Sequence, residues 1–373
     1  MKGGVFLITV LCCIIIIFSC HGTSVQKNYD SVSIDMETLE RTHIPFSNVY
    51  SEVEFIPLEN GSNCMLSQVS KVEFTKYGFL VLNNGAYPSV LLFDHKGNFV
   101  RKIGSLGKAK GEYQHNVVDV TASYGGDTIV IATFTNLLAY DVNGYFLFSK
   151  DIDDGAIMNV ESVHGGYAYS TEYHGSSYAL HFVNSEFAHN GECDETDNLL
   201  LNGGIIRDPI RKDDKNIYYY DEYKTHFYRI NMNNYEDVKE ISLHSKNSLT
   251  TKSFSKGDPY SEVFDCVYDY TVKKGVIYGN ILMGDQPCVF ELNTESDMMK
   301  MYVIDGWMPS YDTTFDNYQY TLLSQEEFIS MFVRKENNIL SGLEKCNLDA
   351  VKDCVTEHSN YVMVKLKRKW ELQ

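Results

Sequence analysis

The chain has 373 residues, of which 44% are hydrophobic and 22% charged, and its formal charge is −18. That length can bury a substantial core, as one large β domain or two ordinary ones. The acidic balance excludes nucleic acid and anionic membrane surfaces as electrostatic partners, because both need clustered Lys and Arg to neutralise phosphate.

At the N-terminus, Lys2 precedes an uncharged apolar run from Val5 to Phe18. At about 14 residues this run is too short to span a bilayer as a helix and predicts a signal peptide over residues 1–19. The run ends in Ile17-Phe18-Ser19-Cys20, which resembles a bacterial lipobox, an aliphatic and then a small residue before a Cys that takes lipid. Cys20 is therefore the expected lipid anchor and the bacterial membrane the expected partner, with an ordinary cleaved signal or an uncleaved anchor as alternatives. Residues 20–49 are expected to form a polar tether. The folded domain is expected over 50–373, placing the protein in the cell envelope, at the outer membrane, on either its periplasmic or its surface side.

Beyond the tether, short alternating segments rich in Tyr and Phe are broken by Gly, Asn and Asp, which predicts an all-β domain. One hairpin recurs. Phe93-Asp94-His95-Lys96-Gly97-Asn98-Phe99 is matched by Tyr140-Asp141-Val142-Asn143-Gly144-Tyr145-Phe146, where Gly supplies the positive φ a tight turn needs. Degenerate copies start at Phe182, Tyr228 and Phe290, giving intervals of 47, 42, 46 and 62 residues. A four-stranded propeller blade recurs at about 40 to 50 residues, and a loop from about Ser245 to Tyr260 accounts for the longest interval. Five hairpins thus mark five blades. Val53–Leu58 and Tyr361–Lys367 are strand-like segments at the two ends, and pairing them in a sixth blade would close the ring.

Before that last strand comes the chain's clear helical pattern. Ser324 with Glu327 reads as a capping box ahead of Phe328, Met331 and Phe332, and a second amphipathic stretch runs from Leu343 to Val355, so an insertion in blade six is expected over about 324–355. Cys346 and Cys354 fall in that stretch. Eight helical positions would hold them about 12 Å apart, too far for a disulfide, so they read as small buried hydrophobes. Lys365, Lys367 and Lys369 alternate with apolar residues, as on the wet face of a closing strand.

The order of elements is similar to that of the six-bladed β-propeller lipoproteins of Bacteroides and related gut bacteria. The resemblance rests on the lipobox, Phe55-Ile56-Pro57-Leu58-Glu59, the Phe93–Phe99 hairpin, a Gly-rich segment ending in Gly111-Glu112-Tyr113, and the strand Val362-Met363-Val364-Lys365-Leu366-Lys367. It spans Val53 to Lys367 and implies a six-bladed propeller closed by its terminal strands, with no single activity. One departure is Ala109-Lys110-Gly111, where the family usually has a Pro that stiffens the turn.

No catalytic residue is assigned, and no cofactor or metal is expected. Gly107-Lys108 is followed by Ala109 rather than Ser or Thr, so it is no phosphate loop. His174-Gly175-Ser176-Ser177 reads as a polar turn. Glu192, Asp194, Glu195 and Asp197 lack the spacing of a calcium loop and read as a solvated turn. The connections between blades converge around the channel, and Asp305–Asp312 there carries Trp307, flanked by Gly and Pro, and Tyr311. Those two rings suit stacking on a sugar or apolar ligand, or else plug the channel end. Glu112, Tyr113 and Tyr260 occupy comparable connections and join them as ligand-binding candidates.

The leading expectation is a non-catalytic binding or scaffold protein for a glycan, a peptide or an envelope partner. A polysaccharide hydrolase or lyase, with acid and base from separate blades, is the alternative from the enzyme class. A structural subunit of an envelope complex, docking through the helical insertion, is the third.

Overall fold

A computed structural model describes residues 30–113, 117–153, 155–173, 177–197, 208–221, 225–233, 238–247, 265–334 and 338–370. The candidates Cys20 and Tyr260, and the turn at 174–176, lie outside these residues, as does the signal segment.

The strands assemble into six sheets. Blade one begins with Val69–Thr75, blade two with Val117–Ala122, blade three with Ala156–Val163, blade four with Ile210–Lys212, blade five with Cys266–Lys273 and blade six with Thr313–Phe315. These first strands are the innermost of their sheets and neighbour one another around the axis. Each successive strand pairs antiparallel further out, so the chain radiates from the channel to the rim and returns for the next blade. This is a six-bladed β-propeller.

The recurring hairpins join the third strand to the fourth in blades one to five. In each, one side chain fixes the turn. Asp94 Oδ1 accepts from the amides of Lys96 and Asn98 at 2.8 and 2.9 Å, and Asp141 Oδ1 does the same for Asn143 and Tyr145. Asn184, Asn231 and Asn293 repeat the contact in the degenerate copies. Gly97 and Gly144 have φ of 87° and 83°, and a Cβ on Gly97 would stand 2.4 Å from the carbonyl oxygen of Pro57.

Blade six is built from both ends of the chain. Val362–Arg368 lies between Tyr318–Leu323 and the N-terminal strand Tyr50–Pro57, antiparallel to both. The expected closure is present. Lys365 and Lys367 reach Glu54 and Glu52 across the last pair, at 3.1 and 2.7 Å.

Four sequence expectations change. Residues 30–49 are no tether from Asp30 onward. Asp30–Asp35 adds a fifth, parallel strand to the outer edge of blade four, and Arg41–Pro45 does so on blade five. Their alternating Val32, Ile34 and Ile44 pack against the cores of these blades, a pattern too short to stand out in a polar stretch. The insertion between the second and third strands of blade six is less helical than its pattern. It holds Gln325–Phe328, a π turn at Ile329–Val333, a 3₁₀ turn at Asn338–Leu340 and Leu348–Val351, while Lys345–Cys346 pairs with Glu52 and Val53. Cys346 and Cys354 are exposed rather than buried. Finally, His189–Asp197 is the outer strand of blade three, so the acidic stretch is no turn.

Candidate functional site

The innermost strands bring charged and polar side chains together where they meet around the axis. Lys71 and Glu73 come from blade one, Asp119 and Thr121 from blade two, Glu161 from blade three, Arg211 and Lys212 from blade four, Asp269 and Thr271 from blade five. Burying charge is costly unless it is paired. Lys71, almost fully buried, reaches Asp119 at 3.0 Å and Asp208 at 2.9 Å and donates to the carbonyl of Val160. Arg211 joins Asp208 at 2.9 Å and donates to the carbonyls of Tyr270 and Tyr311, tying blades four, five and six together. Lys212 holds Glu161 at 2.6 Å and the carbonyl of Ser162.

These pairings sort the acids. Burial opposes the charge of Asp208, yet Lys71 and Arg211 hold it below the usual carboxylate range. Burial pushes Asp119 up to about 7 against the pull of Lys71. Asp269 is likewise pushed to about 7 by burial, with the Tyr311 amide at 3.1 Å working the other way. Glu73 makes no hydrogen bond or ion pair among the described residues; burial, and then the neighbouring Glu161, push it up to about 8.

Glu73 lies on the wall of a cavity of about 540 Å³ at the end of the channel where first strands turn into second strands. The turns around Tyr124, Asp213, Lys274 and Asp316 form its rim. Tyr124 and Phe315 stand there 54% and 47% exposed, and Lys212 reaches inward beneath Tyr124. Phe315 stacks on Phe74 at 4.4 Å, which fixes its plane. Lys273 lies over the Trp370 ring at 4.6 Å and donates to Asn317. A groove of about 760 Å³ between blades five and six adjoins the cavity and shares Lys273, Lys274 and Trp370 with it.

The residues singled out from sequence sit elsewhere. The connection to blade six enters its first strand from the opposite end of the channel. Trp307 is 7% exposed, packed between Phe46 and Phe332 of the N-terminal turn and the insertion, so it neither faces solvent nor stops the channel. Tyr311 is buried beneath Arg368. Tyr113 is buried in the core between blades one and two, and burial pushes its hydroxyl to about 12. Glu112 folds back onto the amide of Ala109 at 2.8 Å, closing the loop that lacks the expected Pro. Stacking of these rings on a ligand would require the surrounding packing to open. The residues that line the cavity were missed because each is a single polar or aromatic position in an ordinary strand or turn. A signal was present in the charged residues alternating through strands that are otherwise Val-rich, such as Lys71-Val72-Glu73 and Val118-Asp119-Val120.

Fold and channel together define a six-bladed propeller with a charged axis and a cavity at one mouth. The chain belongs to the family described as a domain of unknown function, DUF4934, whose model matches residues 31–367. It is similar in structure to a Bacteroides fragilis protein provisionally described as exported, with a TM-score of 0.63 at 16% identity, over 91% of this chain and 99% of that one. BamB from Moraxella catarrhalis is similar over 71% of this chain and 75% of its own, with a TM-score of 0.44 at 10% identity. At such identities the likeness is one of fold. No curated protein gives a significant sequence match.

Proposed function

We propose that this is an exported, lipid-anchored binding protein of the bacterial envelope, whose ligand is a glycan or peptide taken up in the cavity at the turn end of the channel. One observation carries the reading: a cavity of about 540 Å³, of ligand size, whose rim keeps the rings of Tyr124 and Phe315 in solvent. Exposed rings cost hydration and serve stacking on a sugar or an apolar side chain. The fold shared with a protein provisionally described as exported, and the lipobox at Cys20, support the location.

A glycan and peptide array tests this. A ligand that binds the intact protein should be lost when Tyr124→Ala and Phe315→Ala are combined, with thermal unfolding little changed. Undiminished binding by that variant would place the ligand elsewhere. The hydrolase or lyase reading has its own supporting observation, the meeting of Glu73, Asp119, Glu161 and Asp208 from separate blades, but Asp119, Asp208 and Glu161 are each held by a cation.

A further inference from the structure

Glu73 is the group whose charge the fold leaves unanswered. The elements around it contribute Lys71 from its own strand, Asp119 and Thr121 from blade two, Glu161 from blade three, Asp208, Arg211 and Lys212 from blade four, Lys273 from blade five and Thr314 from blade six. The inner cations are already engaged, while the rim of the cavity adds Lys76, held by Asp127, and Lys274 beside Asp213, Asp214 and Asp316. Lys71 bridges Asp119 and Asp208, Arg211 takes the other oxygen of Asp208, Lys212 is spent on Glu161, and Lys273 on the Asp316 carbonyl and Asn317. Among the described residues the inner cluster therefore sets the four carboxyls of Glu73, Asp119, Glu161 and Asp208 against the three cations Lys71, Arg211 and Lys212. With all four ionised it is one positive charge short, and the carboxyl without a partner, Glu73, is the one that lines the cavity.

We propose that the cavity takes a compact ligand bearing a primary ammonium, seated on Glu73, with the body of the ligand held at the rim by Tyr124 and Phe315. The inference rests on the reading of this cavity as the binding site. An ammonium carries three donors and one charge, which is what an unpaired carboxylate on the cavity wall lacks. The faces of Tyr124 and Phe315 add attraction for a cation on its way in. The amine can belong to an amino sugar or to a lysine side chain.

Binding has a proton signature. An empty Glu73 holds its proton up to about pH 8, whereas an ammonium beside it favours the carboxylate, so binding releases a proton below that pH. The affinity for a lysine-type amine, which stays charged throughout, must then rise between pH 6 and pH 8.

Titration calorimetry on the intact protein tests this with glucosamine against N-acetylglucosamine, and Nα-acetyl-lysine against its Nε-acetylated form. One free amine is expected to bind at least about tenfold more tightly than its acetylated partner, and which one identifies the source of the amine. Glu73→Gln should weaken that amine at least about tenfold at pH 8, and the pH dependence should vanish with it. Equal binding of free and acetylated forms, no binding of either amine, or full affinity in Glu73→Gln overturns the inference. If an array ligand is meanwhile lost on Tyr124→Ala with Phe315→Ala, the cavity reading survives that failure; if the ligand is retained, the cavity reading falls as well.

Discussion

Two aromatic settings show how differently a large side chain can be used in this chain. Arg368, 3% exposed, is enclosed by the rings of Tyr50, Tyr278, Tyr311 and Trp370, each centred within 5.8 Å of the guanidinium carbon, with Glu291 at 3.7 Å. Ring faces and a flat, weakly hydrated cation suit each other, which Lys would not reproduce. Trp307 is instead an apolar filler between the N-terminal turn, blade six and the insertion. Trp307→Ala should therefore cost about 3 to 5 kcal/mol, the usual penalty for emptying a buried aromatic site. Chemical denaturation would measure it, and any ligand of the cavity should bind as before. Retained stability with lost binding would show that the ring meets the ligand after all.

At the scale of elements, the last strand is more deeply placed than a C-terminal segment usually is. Val362–Arg368 is hydrogen-bonded on both sides, and Val362, Met363, Val364 and Leu366 are completely buried. Removing residues 361–373 deletes an interior strand, strands the N-terminal one and opens blade six. Aggregation or a large fall in melting temperature is expected. A soluble truncated protein that melts like the parent would mean that the ring closes without this strand. The strand and its N-terminal partner were legible because alternation over six or seven residues is a strong signal. The hairpins were legible for a different reason, as Asp94 and Asp141 are recognisable turn formers next to Gly. What could not be read were contacts without local periodicity: the parallel edge strands at Asp30–Asp35 and Arg41–Pro45, whose partners lie about 200 residues or more further on. The cavity was hidden in the same way. Glu73, Glu161 and Lys212 come together only because the ring exists, and no spacing along the chain encodes it.

For the whole molecule, the acidic charge and the short polar stretch after Cys20 fit a body held close to a membrane without adhering to it. A lipid at Cys20 would leave ten residues, 20–29, before the edge of blade four begins at Asp30, a reach of about 35 Å when fully extended. Cys20→Ala is expected to release the protein from the membrane fraction or to leave an unprocessed precursor there. Mature, membrane-bound protein from that variant would refute lipidation at this position.

The same N-terminal segment runs along three successive blades, adding to four, five and six in turn. Its partners at Val238–His244, Met298–Asp305 and Val362–Arg368 lie about 200 residues or more further along the chain. Residues 30–57 thus pair only with segments distant in the chain. Such non-local pairing slows folding, because the entropy of closing long loops is lost before contacts reward it. A ring that closes only when Val362–Arg368 meets Tyr50–Pro57 is therefore completed late in folding.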